Sequence, residues 1–132
     1  MTALAYAQNG FGLPLDFVKH TTTPDYYNEG RDGESEAEFT ARCAAELEAL
    51  IIEEGPETVG ALFAEPVMGA GGVIVPPAGY FAAIREVLER HDVLLVADEV
   101  ICGFGRTGEM WGSQTMDVRP DMLTCAKALS SA

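Results

Sequence analysis

Three residues stand where chemistry could be done. Glu65 and Asp98 directly follow the short apolar runs 58–64 (TVGALFA) and 93–97 (VLLVA), and Lys127 lies two residues beyond a third, 122–125 (MLTC). A carboxylate at the end of a buried strand needs a cation or hydrogen-bond donors, because burying it unpaired is costly. A lysine amine becomes nucleophilic when partly desolvated or placed near positive charge, and can then condense with a carbonyl group. Taken singly, each has an ordinary reading: Asp98 as a helix cap or half of an ion pair, Lys127 as a surface lysine. Taken together they occupy the place where open parallel sheets bind ligands, beyond the carboxyl ends of the strands.

The elements that must position these residues are legible in the pattern. Residues 1–34 read as an irregular lead-in, with Gly10, Gly12 and Pro14 early and turn formers from Asn28 to Gly33. Ser35 followed by Glu38 predicts a capping box. Phe39, Cys43, Leu47, Leu50 and Ile51 then recur at helical spacing until Gly55-Pro56 ends the helix. The run 58–64 lacks alternation, as expected for a strand covered on both faces. A Gly- and Pro-rich loop over 65–77 leads to a second helix over about 78–90, whose inner face is Tyr80, Phe81, Ile84, Val87 and Leu88. With strands at 93–97 and 122–125, residues 35–132 form an α/β unit around a parallel sheet.

Composition narrows the partners. The 132 residues carry a formal charge of -13, which argues against nucleic acid and anionic membranes, both of which call for basic patches. Much of the acid between Asp25 and Glu57 reads as a solvated helix face. No apolar run approaches the ~20 residues that cross a bilayer, and the N-terminus does not read as a signal peptide. Cys43, Cys102 and Cys125 show no C-x-x-C spacing, so no zinc or other metal site is expected and reduced thiols in a soluble, cytoplasmic protein fit best.

The spacing of Asp98 and Lys127 belongs to a longer pattern. Residues 94–108 (LLVADEVICGFGRTG) and 121–132 (DMLTCAKALSSA) closely resemble the signature of class III aminotransferases. Residues 65–72 (EPVMGAGG) with Pro76-Pro77 resemble a second block of that family, and 13–28 (LPLDFVKHTTTPDYYN) is similar to a segment that precedes the first helix. The resemblance implies the large domain of a fold-type I enzyme dependent on pyridoxal 5'-phosphate (PLP), of which residues 1–132 form an incomplete part. It implies that Lys127 forms the Schiff base and shuttles a proton, that Asp98 pairs with the pyridinium nitrogen and that Val100 packs on one face of the ring. Such a cofactor needs both a lysine and an acid that keeps its ring protonated. Glu65 matches a family glutamate near the substrate mouth. Some relatives carry Gln, bonded to the cofactor's phenolic oxygen, where this chain has Ile101.

The activity implied is transfer of an amino group from an amine or ω-amino acid to a keto acid such as pyruvate, by a homodimer of the full-length parent. A family aminomutase or decarboxylase would share Asp98 and Lys127. The segments implied to bind the cofactor phosphate lie upstream of this chain, so the alternative is a non-catalytic fragment, inactive in isolation. Other signals carry less. Gly103, Gly105 and Gly108 spell G-x-G-x-x-G, but five residues late for a dinucleotide fold. Glu99 beside Asp98 resembles a carboxylate pair, yet neighbours at a strand end point apart. Arg106 reads as a loop-fixing hydrogen bonder before a carboxylate binder, His91 as a helix C-terminal residue that helps the dipole, Trp111 as core or interface, and Cys102 and Cys125 as packing residues.

Overall fold

The structure, a computed structural model, describes residues 4–130. Ser131 and Ala132, the last two residues of the lysine segment, lie outside the described residues. The lead-in is less irregular than its composition predicts, because two one-turn helices interrupt it, α1 (Ala5–Gln8) and α2 (Tyr26–Glu29). A single turn needs no apolar periodicity. In α2 it is held by the Asp25 side chain, which accepts the Asn28 N–H.

Helix α3 (Glu36–Glu54) begins at the predicted capping box: the Ser35 hydroxyl accepts the Glu38 N–H, and Glu38 accepts the Ser35 N–H at 2.8 Å. It ends at Gly55, whose φ of 89° favours glycine, and a 3-10 turn (Pro56–Thr58) follows. The lead-in is fastened to α3 mainly by charge. The Arg42 guanidinium forks onto Glu34 at 2.8 and 2.9 Å, reaches Glu46 and the Glu29 carbonyl, and lies over the Phe39 ring.

Strand β1 (Ala61–Ala64), helix α4 (Tyr80–Arg90) and strand β2 (Leu94–Asp98) form the predicted strand–helix–strand unit, and β3 (Met122–Thr124) joins it. The three strands are parallel in the order β1-β2-β3. Four elements differ at their boundaries from expectation, β2 by running one residue later than 93–97. Thr58 belongs to the 3-10 turn, α4 begins at Tyr80 because Gly79 is left-handed (φ 82°), and β3 stops at Thr124. Asp121 starts β3. It accepts the Leu95 N–H at 2.8 Å while both its oxygens take the Arg85 guanidinium of α4.

Residues paired in register share a sheet face. Leu62 and Leu95, with Ala64 and Ala97, turn toward α3 and α4. Phe39, Cys43, Leu47 and Ile51 of α3 meet Tyr80, Phe81, Ile84, Val87 and Leu88 of α4 and Leu95 of β2 in one buried cluster. Leu50 is half-buried and lies outside this cluster. On the opposite face Phe63 is 47% exposed, Leu94 45% and Met122 58%, although Val96 between them is buried. The expectation of strands covered on both faces is therefore corrected: the described residues supply helices to one face only.

Candidate functional site

The sheet register brings the sequence-predicted residues to one edge. Ala64 lies opposite Ala97, and Asp98 lies opposite Thr124. Glu65 is the first residue past β1, Asp98 the last of β2, and Lys127 lies three residues past β3. All three stand at the carboxyl edge of a parallel sheet, the edge at which such sheets bind ligands.

Each is held differently. Asp98 is half-buried, and its Oδ1 accepts the Val100 N–H at 3.1 Å, a local turn that aspartate makes readily. Its second oxygen has no hydrogen-bond partner among the described residues. Val100 is half-buried beside it. Lys127 is exposed and opens a 3-10 turn (Lys127–Leu129) with a left-handed φ of 46°. That conformation costs a non-glycine residue ~1 kcal/mol and persists only where neighbouring structure imposes it. Lys127 has no ion-pair partner among the described residues, whereas Lys19 is held by Glu54 at 3.0 Å.

Glu65 closes its own loop. Its Oε2 accepts the Gly69 N–H at 2.9 Å, and reciprocal Met68–Ile74 backbone bonds of 3.0 Å complete the fold-back. Gly69 leaves no room for a side chain, since a Cβ there would stand 2.4 Å from Ile101 Cδ1. Ile101 is thus used to seat this loop. Cys102 ties the same loop from beneath, with Sγ at 3.4 Å from the Val67 nitrogen and 3.2 Å from its oxygen. Burial pushes the Cys102 thiol above its ordinary range.

Sequence reasoning set Glu99 aside, and the structure gives it a use. Its side chain is fully buried, and Oε2 and Oε1 accept the N–H groups of Gly112 and Ser113, each at 2.8 Å. These open the one-turn helix α5 (Gly112–Thr115). The contact spans 13 and 14 residues without periodicity, so no local signal announces it. The glycine-rich stretch before it forms consecutive turns, in which Trp111 packs against Phe104 at 5.0 Å between ring centroids. Arg106 is exposed and makes no hydrogen bond among the described residues, which corrects its reading as a loop-fixing residue. A solvated guanidinium there has nothing within reach to fix. His91 does close α4, and its Nε2 lies 2.9 Å from Glu48, which also takes Arg90.

The donor set at this edge suits PLP in kind. It offers a carboxylate with an open oxygen for a ring nitrogen, an amine without a competing ion pair for an aldehyde, and a branched apolar side chain for a ring face. Among the described residues, no group of His, Cys, Asp and Glu could hold a metal ion, and no helix is long and apolar enough to cross a membrane.

Comparison with known proteins agrees with this chemistry. Residues 3–132 match the family model described as aminotransferase class-III. The chain is 54% identical over its whole length to the mitochondrial gamma aminobutyrate transaminase 1 of Solanum lycopersicum, covering 26% of that protein. It is 54% identical over 121 residues, 92% of the chain, to vanillin aminotransferase of Capsicum frutescens, again covering 26%. The crystal structure of the ω-transaminase of Pseudomonas jessenii in complex with PMP superimposes with a TM-score of 0.95 at 52% identity, over 98% of this chain and 29% of that one. The chain thus spans about a quarter of the length of these curated relatives.

Proposed function

Because the chain belongs to the class III aminotransferase family, we propose that it forms the central part of the cofactor-binding large domain of a PLP-dependent transaminase. The whole protein moves an amino group from an amine or ω-amino acid to a keto acid such as pyruvate, and works as a homodimer. What carries this reading is the register that sets Asp98 opposite Thr124, three residues before Lys127, so that acid and amine share one sheet edge. The free, unpaired cysteines suit a reducing compartment, and we place the protein in the cytoplasm.

PLP supplies, when bound, an aldehyde for attachment and a ring that draws electrons from the substrate carbon. Lys127 provides the amine for that attachment, and its Nζ then takes and returns the proton of the substrate carbon. The open oxygen of Asp98 holds the proton on the pyridine nitrogen, while its Val100 bond keeps the carboxylate turned. Val100 covers one ring face and keeps water from it. Glu65 stands at the substrate mouth, with one oxygen engaged in closing the loop that forms the rim.

The test is reductive labelling. In the full-length protein, borohydride treatment in the presence of PLP followed by peptide mapping places the label on Lys127, and Lys127→Ala abolishes both label and transamination. A label on Lys19, the only other lysine in the sequence, overturns the assignment.

A further inference from the structure

The buried carboxylate of Glu99 is the strongest feature of this edge that the proposed chemistry does not use. It lies between Asp98 and Val100 in the chain, yet its hydrogen bonds go to neither. Each of its oxygens accepts one backbone donor of another segment, which is how a buried carboxylate is normally accommodated. The Glu99 N–H is bonded to the Thr124 carbonyl at 2.9 Å, and its own carbonyl accepts the Gly103 N–H at 2.9 Å. One residue therefore joins three segments: the end of β3 on the way to Lys127, the turn that carries Asp98 and Val100, and α5.

The fit around it leaves little play. A Cβ added at Gly112 would lie 2.5 Å from Cys102 Cβ, 2.9 Å from Pro66 Cβ and 3.1 Å from Glu99 Oε2. Since Cys102 is bonded to Val67, the clasp also includes the loop that begins at Glu65. A shift of α5 would bear on Glu99 and Cys102, and so on the backbone that carries Asp98, because close-packed elements move together.

We propose that Glu99 is a positioning residue for the cofactor site: its two bonds to Gly112 and Ser113 set the angle at which the Asp98–Val100 turn presents the carboxylate and the apolar side chain. It touches neither cofactor nor substrate and acts through Asp98. The inference rests on the functional reading above, and its test separates the two.

The experiment uses the full-length protein with PLP and compares Glu99→Gln with Asp98→Asn. Glutamine keeps the volume but offers only one acceptor, so one of the two N–H groups meets an amide donor. Glu99→Gln weakens PLP binding about tenfold and shifts the pH midpoint of the bound cofactor's absorbance in the same direction as Asp98→Asn, with the melting transition still above the assay temperature. A purely structural role lowers the melting temperature and leaves affinity and midpoint where they are, and that result overturns the inference. If Asp98→Asn is itself without effect on the midpoint, the functional reading fails and the clasp fails with it. Should Glu99→Gln not fold, Glu99→Asp carries the test. It keeps the charge but is one methylene shorter, so it cannot reach both the Gly112 and Ser113 N–H groups, and the same shift of midpoint is required of it.

Discussion

The two faces of the sheet are built from similar residues and have opposite surroundings. Leu62, Ala64 and Leu95 lie under two helices, while Phe63, Leu94 and Met122 stand half open. The strands carry apolar residues on both faces, so strand sequence alone does not tell them apart. The helices do: α3 and α4 each bury one stripe, and both stripes turn to the same side. Apolar strand composition reports what a face is suited to, and the cover must be found elsewhere in the chain.

The widest gap between the faces is in the cost of truncation. Leu88 is fully buried between α3 and the sheet side of the cluster, whereas Leu94 is 45% exposed. Leu88→Ala removes packed methyl groups that the surroundings cannot replace and destabilises by about 2–5 kcal/mol. Leu94→Ala gives up little buried area, and its cost stays within about 1 kcal/mol. Urea melts of the 132-residue chain measure both, and equal losses would mean that the open face is covered in solution.

A smaller effect concerns association. Phe63, Leu94 and Met122 form an exposed apolar stretch across three adjacent strands, the kind of surface that binds hydrophobic dyes and promotes self-association. Replacing all three with threonine keeps β-propensity while removing the apolar surface. Dye fluorescence then falls, and sedimentation shifts toward monomer. Unchanged association would place the sticky surface elsewhere.

How much of this was legible follows the same division. The capping box at Ser35 and Glu38 and the buried stripes of α3 and α4 are local patterns, and they are found as read, Leu50 of α3 apart. Asp98 and Lys127 could be singled out because each follows an apolar run, and the parallel register then decides that they share an edge. What could not be read is non-local or solvent-dependent. The Glu99 clasp joins residues without shared periodicity, and the exposure of Phe63 depends on which helices cover the strand. Arg106 misled because an arginine in a glycine-rich loop suggests a fixing role that only nearby acceptors could realise.

The smallest effect lies outside the helix layer, where charge, together with the Tyr26 ring, attaches the lead-in to α3. The hydrogen bonds from Arg42, followed by the Arg31 backbone N–H, hold the Glu34 carboxyl at about 2, below its usual 4.5. A carboxylate with a depressed folded pKa stabilises the native state fully above its unfolded value, and that contribution is lost as pH falls from about 4.5 toward about 2. Glu34→Gln removes the titration, so the variant is less stable at neutral pH and its stability declines less steeply across that acid window. The effect is small because the pair is largely covered, and the hydration both groups give up offsets much of what the fork returns. Urea midpoints taken at steps through the window for both proteins provide the measurement. Parallel acid slopes would show that the Arg42–Glu34 fork does not hold the lead-in in solution, and the attachment would then fall to Tyr26, whose ring packs against Phe39 with centroids 5.5 Å apart.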